Sequence, residues 1–304
     1  MCNEANTMQS EYSRPRMLST LARTLAALAV TLACLGHAAP VNAQSTWLTP
    51  NLTHEAGMHP GLAVIDETVI GMGLITAWGV WRWDWFERDF HFKNEHGFSR
   101  RSSTGGADKT GHFILGYLTS DIFAWRLRTE GYSRAAAYTW GALGSILVNL
   151  WLEVGDGTSD YGFSNEDLVA DVLGASASLL LGVCQPCDDL IDIRIQYWPT
   201  SNYVKSGSLV GDYSGMKHLA AFKLSGVPYV KQTPLRYLEA HVGFYSRGFR
   251  SFDDEDDPRR VVYGAVAINL AELFHPIAPE ALVTAFEYYQ FPYVAAEVVT
   301  KTYR

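Results

Sequence analysis

Asp108, Lys109, His112, Glu153, Asp156, Asp167 and Asp171 stand on otherwise apolar stretches of this 304-residue chain. Such groups are costly to bury unless they meet one another, so their placement predicts a convergent polar cluster. Asp108 and His112 are four apart and share a face at a helix start, and Asn149 and Glu153 share one at a helix end. Asp167 and Asp171 are also four apart, a like-charge spacing that is mildly unfavourable unless a cation, a shared proton or a basic group lies between them. Lys109 would supply that charge, as would a metal, for which His112, Glu153 and Asp171 are the candidate ligands. The chemistry open to the set is acid/base catalysis or metal-assisted hydrolysis, with His112 backed by Asp and Glu partners. Each residue taken singly also has a structural role: Asp108, Ser164 and Asp167 suit helix starts, and Asp156-Gly157 is an ordinary turn pair.

Four apolar helices are needed to position these groups. The first runs from Gly61 to about Phe86 and closes on Trp78, Trp81 and Trp85 at helical spacing, read as core packing in preference to a membrane-interface belt. The second runs from Asp108 to about Arg128, before Gly131. The third is capped by Ser133 and reaches Glu153. The fourth starts at Ser164, with Asp167 three residues on, and ends near Gly182. Gly174-Ala175-Ser176-Ala177-Ser178 would let a neighbour approach closely.

Beyond Pro186 the apolar period changes from helical to alternating. Strands are expected at Ile191–Tyr197, His218–Leu224, Arg236–Tyr245, Val261–Leu270 and within Tyr293–Tyr303. In the third, Leu238, Ala240, Val242 and Phe244 share one face, with Glu239, His241 and Tyr245 on the other, as in a half-solvated antiparallel sheet. The predicted fold is therefore α+β: a signal segment at 1–43, a helical region at 44–186 and a β-rich region at 187–304. The run Asp253-Asp254-Glu255-Asp256-Asp257 reads as a solvated hairpin loop, since its spacing does not match a calcium-binding EF-hand.

The segments Ala107-Asp108-Lys109-Thr110-Gly111-His112-Phe113, Glu153-Val154-Gly155-Asp156-Gly157 and Gly162-Phe163-Ser164-Asn165-Glu166-Asp167, continuing to Gly174, resemble the YfiM-like family of predicted periplasmic lipoproteins, a domain of unknown function. More distantly they are similar to the VanZ-like envelope proteins. The resemblance spans about Trp78 to Tyr213 and implies an envelope location and the cluster above as the shared motif, without a reaction or a cofactor. Asp171 departs from it, because such proteins often carry Asn there; a carboxylate strengthens a metal or proton role in this chain.

Compartment is legible independently. Arg14, Arg16 and Arg23 precede an apolar run from Leu25 to Leu35 and a small-residue tail ending Val41-Asn42-Ala43, the three parts of a secretory signal cleaved before Gln44. Thr31-Leu32-Ala33-Cys34 partly resembles a lipobox, so acylation of Cys34 is the competing processing route. Cys184 and Cys187 would then remain as Cys-Gln-Pro-Cys, either a small structural disulfide or free thiols; placed after a helix, the pair lacks the setting of a thioredoxin-like redox site.

The net charge is −8, and removal of three arginines and two glutamates with residues 1–43 leaves 21 basic against 30 acidic residues, or −9. That balance argues against nucleic acid as a partner. His54 and His59 are five apart rather than four, about 140° around a helix, which rejects a zincin protease. G-x-S-x-G, G-x-x-x-x-G-K-[ST] and G-x-G-x-x-G motifs are lacking too, removing the usual handles of acyl hydrolases, P-loop proteins and dinucleotide enzymes. The resulting expectation is an exported protein of the periplasm or outer membrane that binds or handles an envelope lipid or glycan at the membrane surface. The alternatives are a metal-dependent or acid/base hydrolase of envelope lipids and a small outer-membrane β-barrel, the latter weakened by few strands and by a final Thr302-Tyr303-Arg304.

Overall fold

The computed structural model describes residues 59–201, 203, 211–249 and 257–303. The signal segment, Cys34, His54 and the acidic run Asp253–Asp256 lie outside the described residues. Four long helices come first: α1 (Pro60–Arg82), α2 (Ala107–Thr129), α3 (Arg134–Asp156) and α4 (Asn165–Val183). Their starts follow from local chemistry. The His59 ring accepts the Gly61 N–H ahead of Pro60, Ser133 caps α3 through the Ala136 N–H, and Ser164 caps α4 through the Asp167 N–H. At α2 the cap is Gly106, in the left-handed region at φ 93°, and Asp108 sits in the first turn rather than at the cap.

The helices pack through small residues. A Cβ on Gly116 would stand 2.2 Å from the Asp171 backbone oxygen, and one on Gly174 would stand 1.9 Å from that of Phe113, so α2 and α4 touch backbone to backbone. Ser120, Ala124, Ala137, Ser145 and Ala175 are buried between helices, whereas Ile65, Val69, Trp81, Ile122, Leu147, Val169, Leu173 and Leu180 are exposed. The interior thus mixes small and polar residues with the buried cluster of Val64, Phe123, Leu127, Tyr132 and Val148, while many bulky apolar residues face outward. By length and composition alone, α1 and α3 could cross a membrane. The aromatic stripe divides: Trp85 is buried against Gly79 and Gly155, while Trp78 and Trp81 are exposed, so core packing holds for Trp85 alone.

A short helix α5 (Gln185–Leu190) leads into a five-stranded antiparallel sheet in chain order, β1 (Ile191–Tyr197), β2 (Met216–Lys223), β3 (Leu238–Arg247), β4 (Arg259–Ile268) and β5 (Ala295–Tyr303). Helices α6 (Leu270–Phe274) and α7 (Glu280–Tyr288) interrupt the passage from β4 to β5 and were not anticipated from the sequence. Cys184 and Cys187 are joined by a disulfide at the α4–α5 junction.

The period-two pattern correctly separates two faces, and the face carrying Glu239 and His241 is the buried one. There Arg194 donates to Asp192, to both oxygens of Glu239 and to Gln290, while His241 contacts Glu239 at 2.8 Å. Leu219, Ala221, Val261, Tyr263 and Ala265 pack around this network. The opposite face leaves Phe222, Val242, Val262, Val266 and Ile268 exposed over much of its area. At one end that face meets the helices: Ser246 Oγ donates to the Thr104 carbonyl at 2.7 Å, Arg260 Nε to that of Gly105 at 3.0 Å, and His218 pairs with Thr110 at 2.7 Å.

Candidate functional site

Asp108, Lys109 and His112 open α2, Glu153 and Asp156 close α3, and Asp167 and Asp171 open α4, so three helix ends deliver seven polar groups to one end of the bundle. Lys109 is the hub of one half. Its Nζ donates to Asp167 Oδ1 at 2.5 Å, to Asp108 Oδ2 at 2.9 Å and to Glu95. His112 is the hub of the other, with Nδ1 at 3.1 Å from Asp171 Oδ2 and 3.9 Å from Glu153 Oε1, and Nε2 at 3.8 Å from Asp167 Oδ1. The like-charge Asp167–Asp171 pair is thus relieved on two sides, by the ammonium at Asp167 and by the imidazole at Asp171.

Backbone, indole and phenol donors hold three further carboxylate oxygens. The Ser164 N–H donates to Glu153 Oε2 at 2.9 Å while its hydroxyl caps α4, so Ser164 supports both the helix and the site. Asp156 Oδ1 accepts the Trp85 indole N–H at 2.7 Å, which holds this carboxylate outside the His112-centred group. Tyr213, from the turn before β2, donates to Asp108 Oδ1. Glu95 and Tyr213 escaped the sequence reading of the site; Tyr213 ends the span of the resemblance, the one signal that could have pointed to it.

Burial sets the protonation of the group. It raises Glu153 to about 8 and Asp156 to about 6, and it raises Asp171 as well. For His112 burial opposes the charge, but the hydrogen bond to Asp171 and the carboxylates of Asp171, Asp167 and Asp108 outweigh it and lift the imidazole to about 10. Burial also disfavours the ions at Asp108 and Lys109, yet each is held charged: Asp108 well below the usual carboxylate range by His112 and Lys109, and Lys109 above its ordinary value by Asp108 and Asp167. Glu95 is pushed up to about 7 by burial and by the charge of Asp108. An imidazolium beside carboxyl groups of widely separated acidity is equipped to move protons.

Two triads, Asp108–His112–Asp167 and His112–Glu153–Asp171, bring one potential ligand atom from each residue within 4.8 Å of one another. Beside the cluster, His96, Phe98, Lys109, Phe113, Val169 and Leu173 border a groove of about 650 Å³ on the α2–α4 surface.

Residues 94–183 match the profile of a family described as "Predicted periplasmic lipoprotein (DUF2279)". The matched segment holds every cluster residue from Glu95 to Asp171 and stops short of Tyr213 and the sheet. It supports the first of the two resemblances and is silent on the VanZ-like one. The exported, periplasmic location read from the N-terminal sequence agrees with the family description. No curated protein and no solved structure matches the chain.

Proposed function

We propose that this protein holds an envelope lipid at the membrane surface, with acyl chains along the α2–α4 groove and the headgroup toward His96, Asn165 and Glu166 on its border. The groove itself carries this reading. Its volume of about 650 Å³ lies within the range of small-molecule pockets, roughly 300–1,000 Å³, and its border joins apolar Phe98, Phe113, Val169, Ala170 and Leu173 to polar His96, Thr110, Asn165 and Glu166. Val169 and Leu173 are more than half exposed along it, a disposition that suits hydrocarbon. Exposed Ile65, Val69, Ile122 and Leu180 support the same reading, because they add apolar surface to the bundle outside the groove.

The test is co-sedimentation of the purified full chain with phosphatidylethanolamine vesicles. Wild type is expected to pellet with the vesicles, and V169D/L173D to lose at least tenfold in apparent affinity while keeping its circular dichroism spectrum. Equal binding by the two proteins, or no binding by wild type, would overturn the proposal.

A further inference from the structure

The polar groups that close α3 and open α2 and α4 have a geometry that lipid binding in the groove does not call on. We propose that His112, Glu153 and Asp171 form a binding site for a first-row divalent transition metal.

Spacing is the first support. Ligand atoms about 2.1 Å from a common ion stand roughly 3.0 Å apart in octahedral and 3.4 Å apart in tetrahedral geometry. His112 Nδ1 lies 3.1 Å from Asp171 Oδ2 and 3.9 Å from Glu153 Oε1, and the triad's ligand atoms all fall within 4.8 Å of one another. The first of these separations already fits, and the second needs only a small shift of the Glu153 carboxylate toward the ring.

Independent support comes from a buried atom with no partner. Asp171 is fully buried, and its Oδ1 has no hydrogen-bond partner although Oδ2 contacts His112. A buried carboxylate oxygen left bare is expensive, and an ion held by both oxygens of this carboxylate would satisfy it. Charge balance agrees: Glu95, Asp108, Glu153, Asp156, Asp167 and Asp171 supply six carboxyl groups against Lys109 and the His112 imidazolium, and the metal would take the place of the proton that His112 holds between Nδ1 and Asp171 Oδ2, releasing it to solvent. Lys109 is already committed to Glu95, Asp108 and Asp167, which leaves the Glu153–Asp171 side served by His112 alone.

The surroundings are those of a supported ligand set. Ser164 N–H fixes Glu153 Oε2 and leaves Oε1 facing His112, while the far ring nitrogen of His112 faces Asp167. One imidazole with two carboxylates selects zinc or manganese over calcium or magnesium, which take all-oxygen shells. Three protein ligands leave a coordination position for water.

The experiment is titration of the chelator-treated full chain with Zn²⁺, Mn²⁺ and Ca²⁺ by calorimetry, together with Co²⁺ as a visible-absorption probe. One Zn²⁺ or Mn²⁺ per chain is expected, with Ca²⁺ at least tenfold weaker and Co²⁺ giving d–d bands. D171N and E153Q, each keeping the side-chain shape, should each weaken uptake at least tenfold; using both guards against a folding defect in either. Absence of uptake by wild type, or uptake unchanged in both variants, would overturn the site and leave the lipid groove untouched. Loss of vesicle binding by V169D/L173D with metal uptake intact would separate the two proposals in the other direction.

Discussion

His112 Nδ1 lies 3.1 Å from Asp171 Oδ2 because the helices carrying them meet without side chains between their backbones. Gly116 sits against the Asp171 carbonyl and Gly174 against that of Phe113, so two glycines on opposite helices, each one turn beyond a site residue, set how near the imidazole can come to the carboxylate.

Replacing Gly174 with alanine should therefore separate α2 from α4. The new methyl group would fall 1.9 Å from a backbone oxygen, and backbone cannot rotate aside as a flexible side chain can. Alanine's better helix propensity offsets about 1 kcal/mol, and the clash should still cost about 3 kcal/mol net. Thermal or denaturant unfolding checks the size. Loss of the His112–Asp171 contact should appear as a changed imidazole environment by NMR, whereas G73A, inside α1 with open space around it, should leave the imidazole unchanged and raise stability by up to about 1 kcal/mol.

Lys109 answers three carboxylates from a position that is only 6 % exposed. K109M keeps the stem's packing and removes the charge, leaving Asp108, Asp167 and Glu95 buried without their common cation. Breaking one side of a buried ion network is expected to cost about 3–5 kcal/mol, read from the unfolding midpoint. K109R should recover part of that loss. Unchanged stability in K109M would mean that the three carboxylates take up protons or water at little cost.

Much of this was legible in the sequence, and the parts that were not share a cause. The i, i+4 pairs Asp108–His112 and Asp167–Asp171 identify a helix face from local spacing alone, and Ser164 with Asp167 identifies the cap. All five strands follow from alternation, yet alternation could not say which face is buried. That choice rests on Arg194 meeting Glu239 and Gln290, partners 45 and 96 residues away. Glu95 and Tyr213 join the cluster from connecting segments with no periodicity to betray them. Trp78 and Trp81 have helical spacing with Trp85, yet α1 ends at Arg82 rather than near Phe86, so Trp85 lies beyond the helix and packs against Gly79 and Gly155 while the two helical tryptophans stay exposed.

Arg194 is the keystone of the sheet's polar interior, and its loss should be felt there rather than at the helices. R194M would leave buried Asp192 and Glu239 without the guanidinium they share, with Lys223 on Asp192 and His241 on Glu239 as their remaining ion-pair partners among the described residues. A loss of about 3–5 kcal/mol is expected. Hydrogen exchange should localise it, with faster exchange across β1 to β3 and protection in α2 and α4 retained. Uniform loss of protection would show that sheet and bundle unfold as one unit.

His218 gives the stability of the protein a defined pH dependence. The ring is buried, Nδ1 pairs with Thr110, Nε2 has no partner, and burial followed by the nearby Arg247 charge depresses it to about 4 from an ordinary 6.5. A histidine held neutral in the folded state binds its proton more readily when unfolded, so acid favours unfolding. Its contribution is intact above about pH 6.5, falls as the pH drops toward 4, and changes little below that, for a total on the order of 3 kcal/mol. H218N removes the titration while keeping a polar side chain beside Thr110. Denaturant unfolding from pH 7 to 4 should show a shallower decline in H218N than in wild type, with the difference confined to the 6.5–4 interval. Parallel curves would mean that His218 gains its proton in the folded protein as easily as in the unfolded one, through water reaching Nε2.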